Sequence, residues 1–389
     1  MRAAKSVSNL QPTQTRSIRQ GAASVKKVPD YLPQQVNSGR WVTAYTLFSL
    51  RERLDSTRFV LPVCSLGTSY EELAADIAHD ELLLPPLFHE AMDAGLCDAM
   101  IARIKTCFPL YELSHAAARH SERLRVEMHA PQPLPNVAPP KVFSFSVDTA
   151  VEEHGPHLPL ATDTVQSYSV LLQLEAELDG FVAGQPVEYG HLTWGLPFGM
   201  SIDLTPELLT RYVTGYANAV QDWQQPEAMY VVDVHGSIVH RQAIIAGLEQ
   251  SRVERWAFRW LHEPLIEFAS ERGDQHAGGV ETALVEHASP TLIDERWFPS
   301  RIDEIEALQM TLEKAVELTP DLNQFTRFVE ETSANGIVGK IRNYETLAAA
   351  AMFETMMAVA RDDVRRLQEN SPDAGQHHAG DSPWERDKI

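Results

Sequence analysis

The chain has 389 residues, 44% hydrophobic and 22% charged, an ordinary balance for a globular protein of one large domain or two. Its 33 basic and 54 acidic residues leave a formal charge of −21, which argues against nucleic acid as a partner, because phosphate binding needs a basic face. No stretch approaches the ~18 uncharged apolar residues that a membrane helix needs.

Residues 1–30 hold Arg2, Lys5, Arg16, Arg19, Lys26 and Lys27 with no acid before Asp30. They read as a flexible basic tail. The composition also fits an organelle transit peptide, but it lacks the apolar core of a secretory signal. The three cysteines, Cys64, Cys97 and Cys107, match neither a disulfide framework nor a zinc module, and an odd count suits a reducing, cytoplasmic compartment.

Residues 31–140 form an N-terminal extension of unassigned role. Within it, Trp41–Leu54 has helical periodicity, Arg58–Cys64 reads as a short buried strand, and Met92, Leu96, Met100, Ile101 and Ile104 mark one face of a helix ending near Cys107. The prolines 131, 133, 135, 139 and 140 mark a linker. Beyond it the spacing predicts an alternating strand at Lys141–Val147, a helix over Ser167–Leu178 and a strand opening at Gln185–Gly190. A Thr-capped helix follows over Thr205–Trp223, then a central parallel strand at Ala228–Val234 and a helix over His240–Glu254. Strands alternating with helices predict a three-layer α/β/α fold with a mostly parallel sheet, whose sites gather at strand ends. This domain covers 141–365, and 366–389 read as a disordered polar tail in which His377 and His378 are solvated.

The chemistry-bearing residues fall at those strand ends. The segment from Glu152 through His154 and His157 to Asp163 places acids and imidazoles directly after a strand, with almost no basic residue to neutralise them. Glu152 and His154 share one side of an extended segment, and Gly155-Pro156 turns the chain so that Asp163 can swing back. Carboxylate with imidazole suits zinc, manganese or ferrous iron, and a shared carboxylate holds paired ions ~3.5–4 Å apart; Asp163 is the candidate bridge. Asp233-Val-His235-Gly follows the apolar strand, and His276 and Glu281 flank a glycine turn. Singly, the last two pieces would be ordinary capping or structural residues.

Together they resemble the creatininase (creatinine amidohydrolase) family. The Glu-x-His-Gly-Pro-His-Leu-Pro-Leu-x-Thr-Asp motif is reproduced from Glu152 to Asp163. A His-Gly loop stands at His235, and His-Ala-Gly-x-x-Glu-Thr runs from His276 to Thr282, with a later Asn-Gly-x-x-Gly turn at Asn335–Gly339. The second motif departs from the family's pattern, carrying Asp233 and Ile238 where the family has asparagines. The resemblance implies two divalent ions per chain (Zn, Mn or Fe), one held by Glu152, Asp163 and His235 and the other by His154, Asp163 and Glu281. Glu281 takes its place because Ser237 and Ile238 offer no carboxylate near the second motif. It also implies metal-assisted hydroxide attack on the carbonyl of a small cyclic amide, with His276 as proton donor and His157 orienting a ligand. Asp233 is carried as a residue behind the ligands, and His191 or Trp194 as a contact over the bound ring. Three alternatives stay open: ring-opening C–C hydrolysis of a cyclic polyol ketone of the inosose type, formamide deformylation, and a non-enzymatic scaffold. The expected partners are a small molecule and other copies of the chain, a hexamer by resemblance, with neither nucleic acid nor membrane.

Overall fold

The computed structural model describes residues 58–75, 77–78, 81–107, 124–192, 195–199, 201–294 and 301–369. The basic tail, the Trp41–Leu54 periodicity, Trp194 and residues 370–389 lie outside this range.

The extension builds a parallel sheet of its own. Strand β1 (Arg58–Cys64) leads through a loop into α1 (Tyr70–Ala74), then β2 (Glu81–Leu83), β3 (Leu87–Phe88), α2 (Ala94–Cys107) and β4 (Leu124–Met128). β1 is central: β4 pairs along Phe59–Val63, while β2 and β3 pair with its first and last residues. Leu96, Met100 and Ile104 are the buried face of α2, as their spacing predicts. The proline stretch 131–140 has no regular structure.

The second sheet comprises β5 (Val142–Ser146), β6 (Phe181–Ala183), β7 (Ala228–Asp233) and β8 (Trp256–Trp260), in the order β6-β5-β7-β8 and parallel throughout. Its crossovers are α3 (Thr162–Glu177), α4 (Pro206–Gln224) and α5 (Ile238–Gln250). All of β5 and β7 is buried, because helices cover both faces. On one face Phe145 meets Tyr216 of α4 at 4.7 Å between ring centroids. On the other, Tyr230 donates to Asp363 of α11 (Ala349–Gln368) at 3.2 Å. Between these layers lie the three-layer α/β/α core and its switch point. The chain leaves β5 in one direction towards β6 and leaves β7 in the other towards β8, so a crevice opens above the C-terminal ends of β5 and β7.

Past β8 the chain forms α6 (Ile266–Arg272) and α7 (Gly279–Ala288). Three short helices follow, α8 (Ile302–Ala307), α9 (Leu312–Leu318) and α10 (Leu322–Thr332). The last two gather with Phe198 in a small separate cluster in which Phe198 meets Phe325 edge-on at 5.5 Å. The main core, by contrast, runs continuously from β1 to α11. Helix α4 is the wall shared with the extension: the Tyr212 hydroxyl accepts from the Phe88 amide at 3.1 Å. Gly215 lets the backbone of Ala91 approach so closely that a Cβ there would lie 1.9 Å from its carbonyl oxygen.

Three sequence expectations are corrected. The strand placed at Gln185–Gly190 is β6 at Phe181–Ala183, and that segment makes isolated bridges instead, Val187 to Val147 and Gly190 to Asp203. Pro186 has no N–H to give a ladder, and the Gln185 side chain is engaged by Gly67 and Thr68 of the extension. Helix α5 starts earlier than expected, capped by Ser237, and ends at Gln250. Helix α11 reaches Gln368, past the boundary expected at 365. Among the described residues no helix is long and apolar enough to cross a membrane.

Candidate metal centre

Strand β5 delivers Thr149 and Glu152 to the crevice, β7 delivers His235, and α3 returns Asp163 in its first turn. Glu152, His154 and Asp163 are each about 1% exposed, and their ligand atoms lie within 4.8 Å of one another. Asp163 stands between two histidines. Its Oδ1 faces His154 Nε2 at 3.4 Å and its Oδ2 faces His235 Nδ1 at 3.3 Å. His235 Nδ1 is also 2.9 Å from Glu152 Oε2.

The tautomers follow from the other nitrogens. His154 Nδ1 lies 3.1 Å from the Glu152 carbonyl, and His235 Nε2 lies 3.0 Å from the His191 carbonyl. A carbonyl only accepts, so those nitrogens carry the hydrogens. In its neutral form each ring would therefore turn a bare lone pair on a carboxylate oxygen, and His154 Nε2 is buried without a hydrogen bond. Lone pairs facing carboxylates repel unless a cation sits between them. Among the described residues no Lys or Arg pairs with Glu152, Asp163 or Glu281.

The titration behaviour has the same origin. Burial would keep His154 neutral, yet Asp163 overrides it and pushes its pKa up to about 10; His235 is raised well above the ordinary range by Glu152 and Asp163 against the same burial. Burial opposes ionisation of Asp163 and Glu152, but the neighbouring histidines hold both carboxyls below their usual range. Glu281 is pushed up to about 7 by burial. A buried cluster that draws in protons this strongly is a cluster that fits divalent ions.

Glu281 opens α7 and joins His154 and His276 in a second group of potential ligands within 4.8 Å. One Glu281 oxygen accepts from the Ala277 amide at 2.6 Å. Ala277 itself sits at φ +52°, a left-handed conformation costly for alanine, and that turn aims His276. His276 Nε2 is held by the Glu153 carbonyl at 2.7 Å, its ring centroid is 4.3 Å from that of His154, and burial with His154 nearby lowers its pKa to about 4. Its backbone pairs both ways with Val338 of the Asn335–Gly339 turn. Gly336 there is at φ +83° and packs so tightly that a Cβ would lie 1.5 Å from Glu153 Oε2.

The remaining expected residues lie just behind these. His157 is buried at 2.9 Å from Thr282 Oγ1, whose hydroxyl donates to the Gly278 carbonyl; it braces the start of α7. Asp233 accepts from the Gly236 amide at 3.3 Å and shapes the turn carrying His235. The His191 ring points away, towards Asp203 and the Leu204 carbonyl, so its contact with the centre is through its own carbonyl. Thr149 had no sequence signal, yet its hydroxyl lies 2.5 Å from Glu152 Oε2 and 2.7 Å from Asp163 Oδ2. His240, buried between the Val147 carbonyl and the His191 amide, was likewise missed.

The bracing role of His157 gives a first expectation. His157→Asn should weaken divalent-ion affinity by ~10–100-fold, as outer hydrogen bonds to ligands do. Competition with a chelating dye measures this; a loss as complete as that of Asp163→Asn would put His157 among the ligands.

The family model for creatinine amidohydrolase, Creatininase, matches residues 149–381. The mycofactocin precursor peptide peptidase of Mycobacterium tuberculosis (strain ATCC 25618 / H37Rv) is 28% identical over 174 residues, 42% of this chain and 64% of that protein. Its counterpart in Mycolicibacterium smegmatis is 29% identical over 146 residues, 36% of this chain and 56% of that protein. The chain thus spans about three fifths of the length of the curated relatives it matches. Among solved structures, a manganese creatininase is 15% identical with a TM-score of 0.41, covering 59% of this chain and 91% of that one. A putative creatinine amidohydrolase from Bacteroides fragilis NCTC 9343 is 15% identical with a TM-score of 0.43, covering 59% and 90%.

Proposed function

The chain belongs to the creatininase family, and on that premise we propose that it is a metal-dependent hydrolase cleaving an amide C–N bond at a two-ion centre. The ligands of that centre are Glu152, His154, Asp163, His235 and Glu281. The observation that carries this reading is Asp163, which offers one carboxylate oxygen to each of two histidines whose bare nitrogens face it. That is the disposition expected of a carboxylate shared between ions.

When bound, such ions polarise a carbonyl and lower the pKa of water from 15.7 towards ~7. The chain's own residues do the rest. Glu152 and Asp163 hold fixed negative charge, and Thr149 keeps their oxygens in place. His276 is tethered by Nε2 to the Glu153 carbonyl, which leaves Nδ1 for chemistry. Being neutral at physiological pH, it takes a proton from the attacking water and hands it to the leaving nitrogen.

The substrate enters a small cleft of about 110 Å³ that His276 and Glu281 share with Trp260, Leu265, Ile266 and Val280. The family model points to a small cyclic amide, and the curated relatives to a peptide amide; both are C–N bonds. The free state of Cys64, Cys97 and Cys107 fits a reducing compartment, and a homo-oligomer is part of the same reading.

The test has two parts. Elemental analysis after gentle purification and reconstitution should find about two divalent ions per chain; at most one tightly bound ion would sink the two-ion reading. A panel of cyclic amides, formamides, short peptides and cyclic polyol ketones, assayed with added Zn or Mn, should show turnover on an amide. Turnover on the ketones alone would move the reaction to C–C cleavage.

A further inference from the structure

Helix α2 belongs to the extension and precedes the family match, which begins at residue 149, yet it touches a loop of the metal centre. Arg103 Nε donates to the Asp203 carbonyl at 2.7 Å, and Arg103 Nη2 pairs with Asp203 Oδ2. Cys107 approaches the same carbonyl. Asp203 is 5% exposed. Its other oxygen, Oδ1, accepts from the Leu192 amide at 2.9 Å and faces His191 Nδ1 at 3.0 Å.

Between those two contacts lies the peptide that orients a ligand. The His191 amide donates to His240 at 3.1 Å, and the His191 carbonyl accepts from His235 Nε2 at 3.0 Å. That last bond fixes the His235 tautomer and points Nδ1 at Glu152 and Asp163. The residues 190–192 segment is tied to the 203–204 segment by the Leu204 amide on the Gly190 carbonyl at 2.8 Å. Asp203 is therefore the knot of the loop, and Arg103 is the cation that makes its buried charge tenable.

We propose that Arg103 is a positioning residue for metal binding: it clamps Asp203, and through the His191 carbonyl it holds His235 in ligand geometry. The proposal rests on the two-ion reading above. It gives the extension a role in the centre without contributing a ligand. An arginine is required because its planar fork reaches the Asp203 carbonyl and carboxylate together; a lysine reaches only one.

The experiment uses the full chain. Zn²⁺ is titrated into metal-stripped wild type, Arg103→Met and Arg103→Lys, with amide hydrogen exchange recorded on each. Arg103→Met should weaken one ion, that of His235, by ~10–100-fold while the ion of His154 and Glu281 keeps its affinity. Leu192 should exchange faster while β5 and β7 stay protected, and Arg103→Lys should fall between the two. Unchanged affinity for both ions in Arg103→Met would overturn the proposal. So would equal weakening of both together with faster exchange throughout β5 and β7, which is general destabilisation. Should Arg103→Met fail to fold, Asp203→Asn breaks the same link from the other side and is judged by the same outcomes. Wild type that binds no Zn²⁺ would refute the two-ion reading instead, and Leu192 exchange in Arg103→Met then decides the clamp alone.

Discussion

Asp163→Asn should empty the metal centre. The carboxamide keeps the shape of the carboxylate but loses its charge, and it presents an N–H to one of the two histidine lone pairs that Asp163 now faces. Ion content should drop from two per chain to below one. Because the lost stabilisation is several kcal/mol, turnover should fall by on the order of 10³-fold or more. The same change should also make the metal-free protein less stable than metal-free wild type near neutral pH, since Asp163 is held ionised by His154 and His235, whose protonation it favours in turn, and a neutral carboxamide removes that pairing. Elemental analysis and thermal melts with and without chelator measure both effects. Retention of two ions would remove Asp163 as the shared ligand.

His276→Ala should separate binding from chemistry. If the ring moves the proton to the leaving nitrogen, the variant keeps both ions and loses turnover by ~10²–10⁴-fold, the range for a positioned acid–base group. The loss should shrink on a substrate whose leaving group departs without protonation. His276 also lies with His154 and Glu281 inside one potential ligand group, so the rival outcome is distinct: loss of one ion would make His276 a ligand. Full activity with both ions retained would take the proton transfer away from it altogether.

The first motif was legible because its chemistry is local: Glu152, His154 and Asp163 lie within one turn-linked segment. The capped start of α4 at Thr205 and the apolar run of β7 were legible for the same reason. What escaped depends on distant partners. β8 reads poorly because Arg259 and two tryptophans resemble a surface segment, and the ion pairs with Asp363 at 2.8 Å and Glu263 at 2.5 Å are what make Arg259 compatible with a covered strand. The sheet of the extension escaped because β2 and β3 have three and two residues, too few to show a period. Thr149, Arg103 and Asp203 belong to no motif, and their roles exist only once β5, α2 and the 203–204 segment are side by side.

The pairing of His276 with Val338, and the pressing of Gly336 on Glu153, also bear on how the protein is made. These contacts join the start of the family region to a turn near its end, a loop closure that is slow to form. On the ribosome, Glu152, His154 and Asp163 emerge long before the turn that seats His276. A nascent chain can therefore present three of the proposed ligands while His276, the proposed proton carrier, still has no Val338 to pair with. Ions captured at that stage would be held by a half-built centre, so metal supply during translation, and not only afterwards, should influence the fraction of chains that mature correctly.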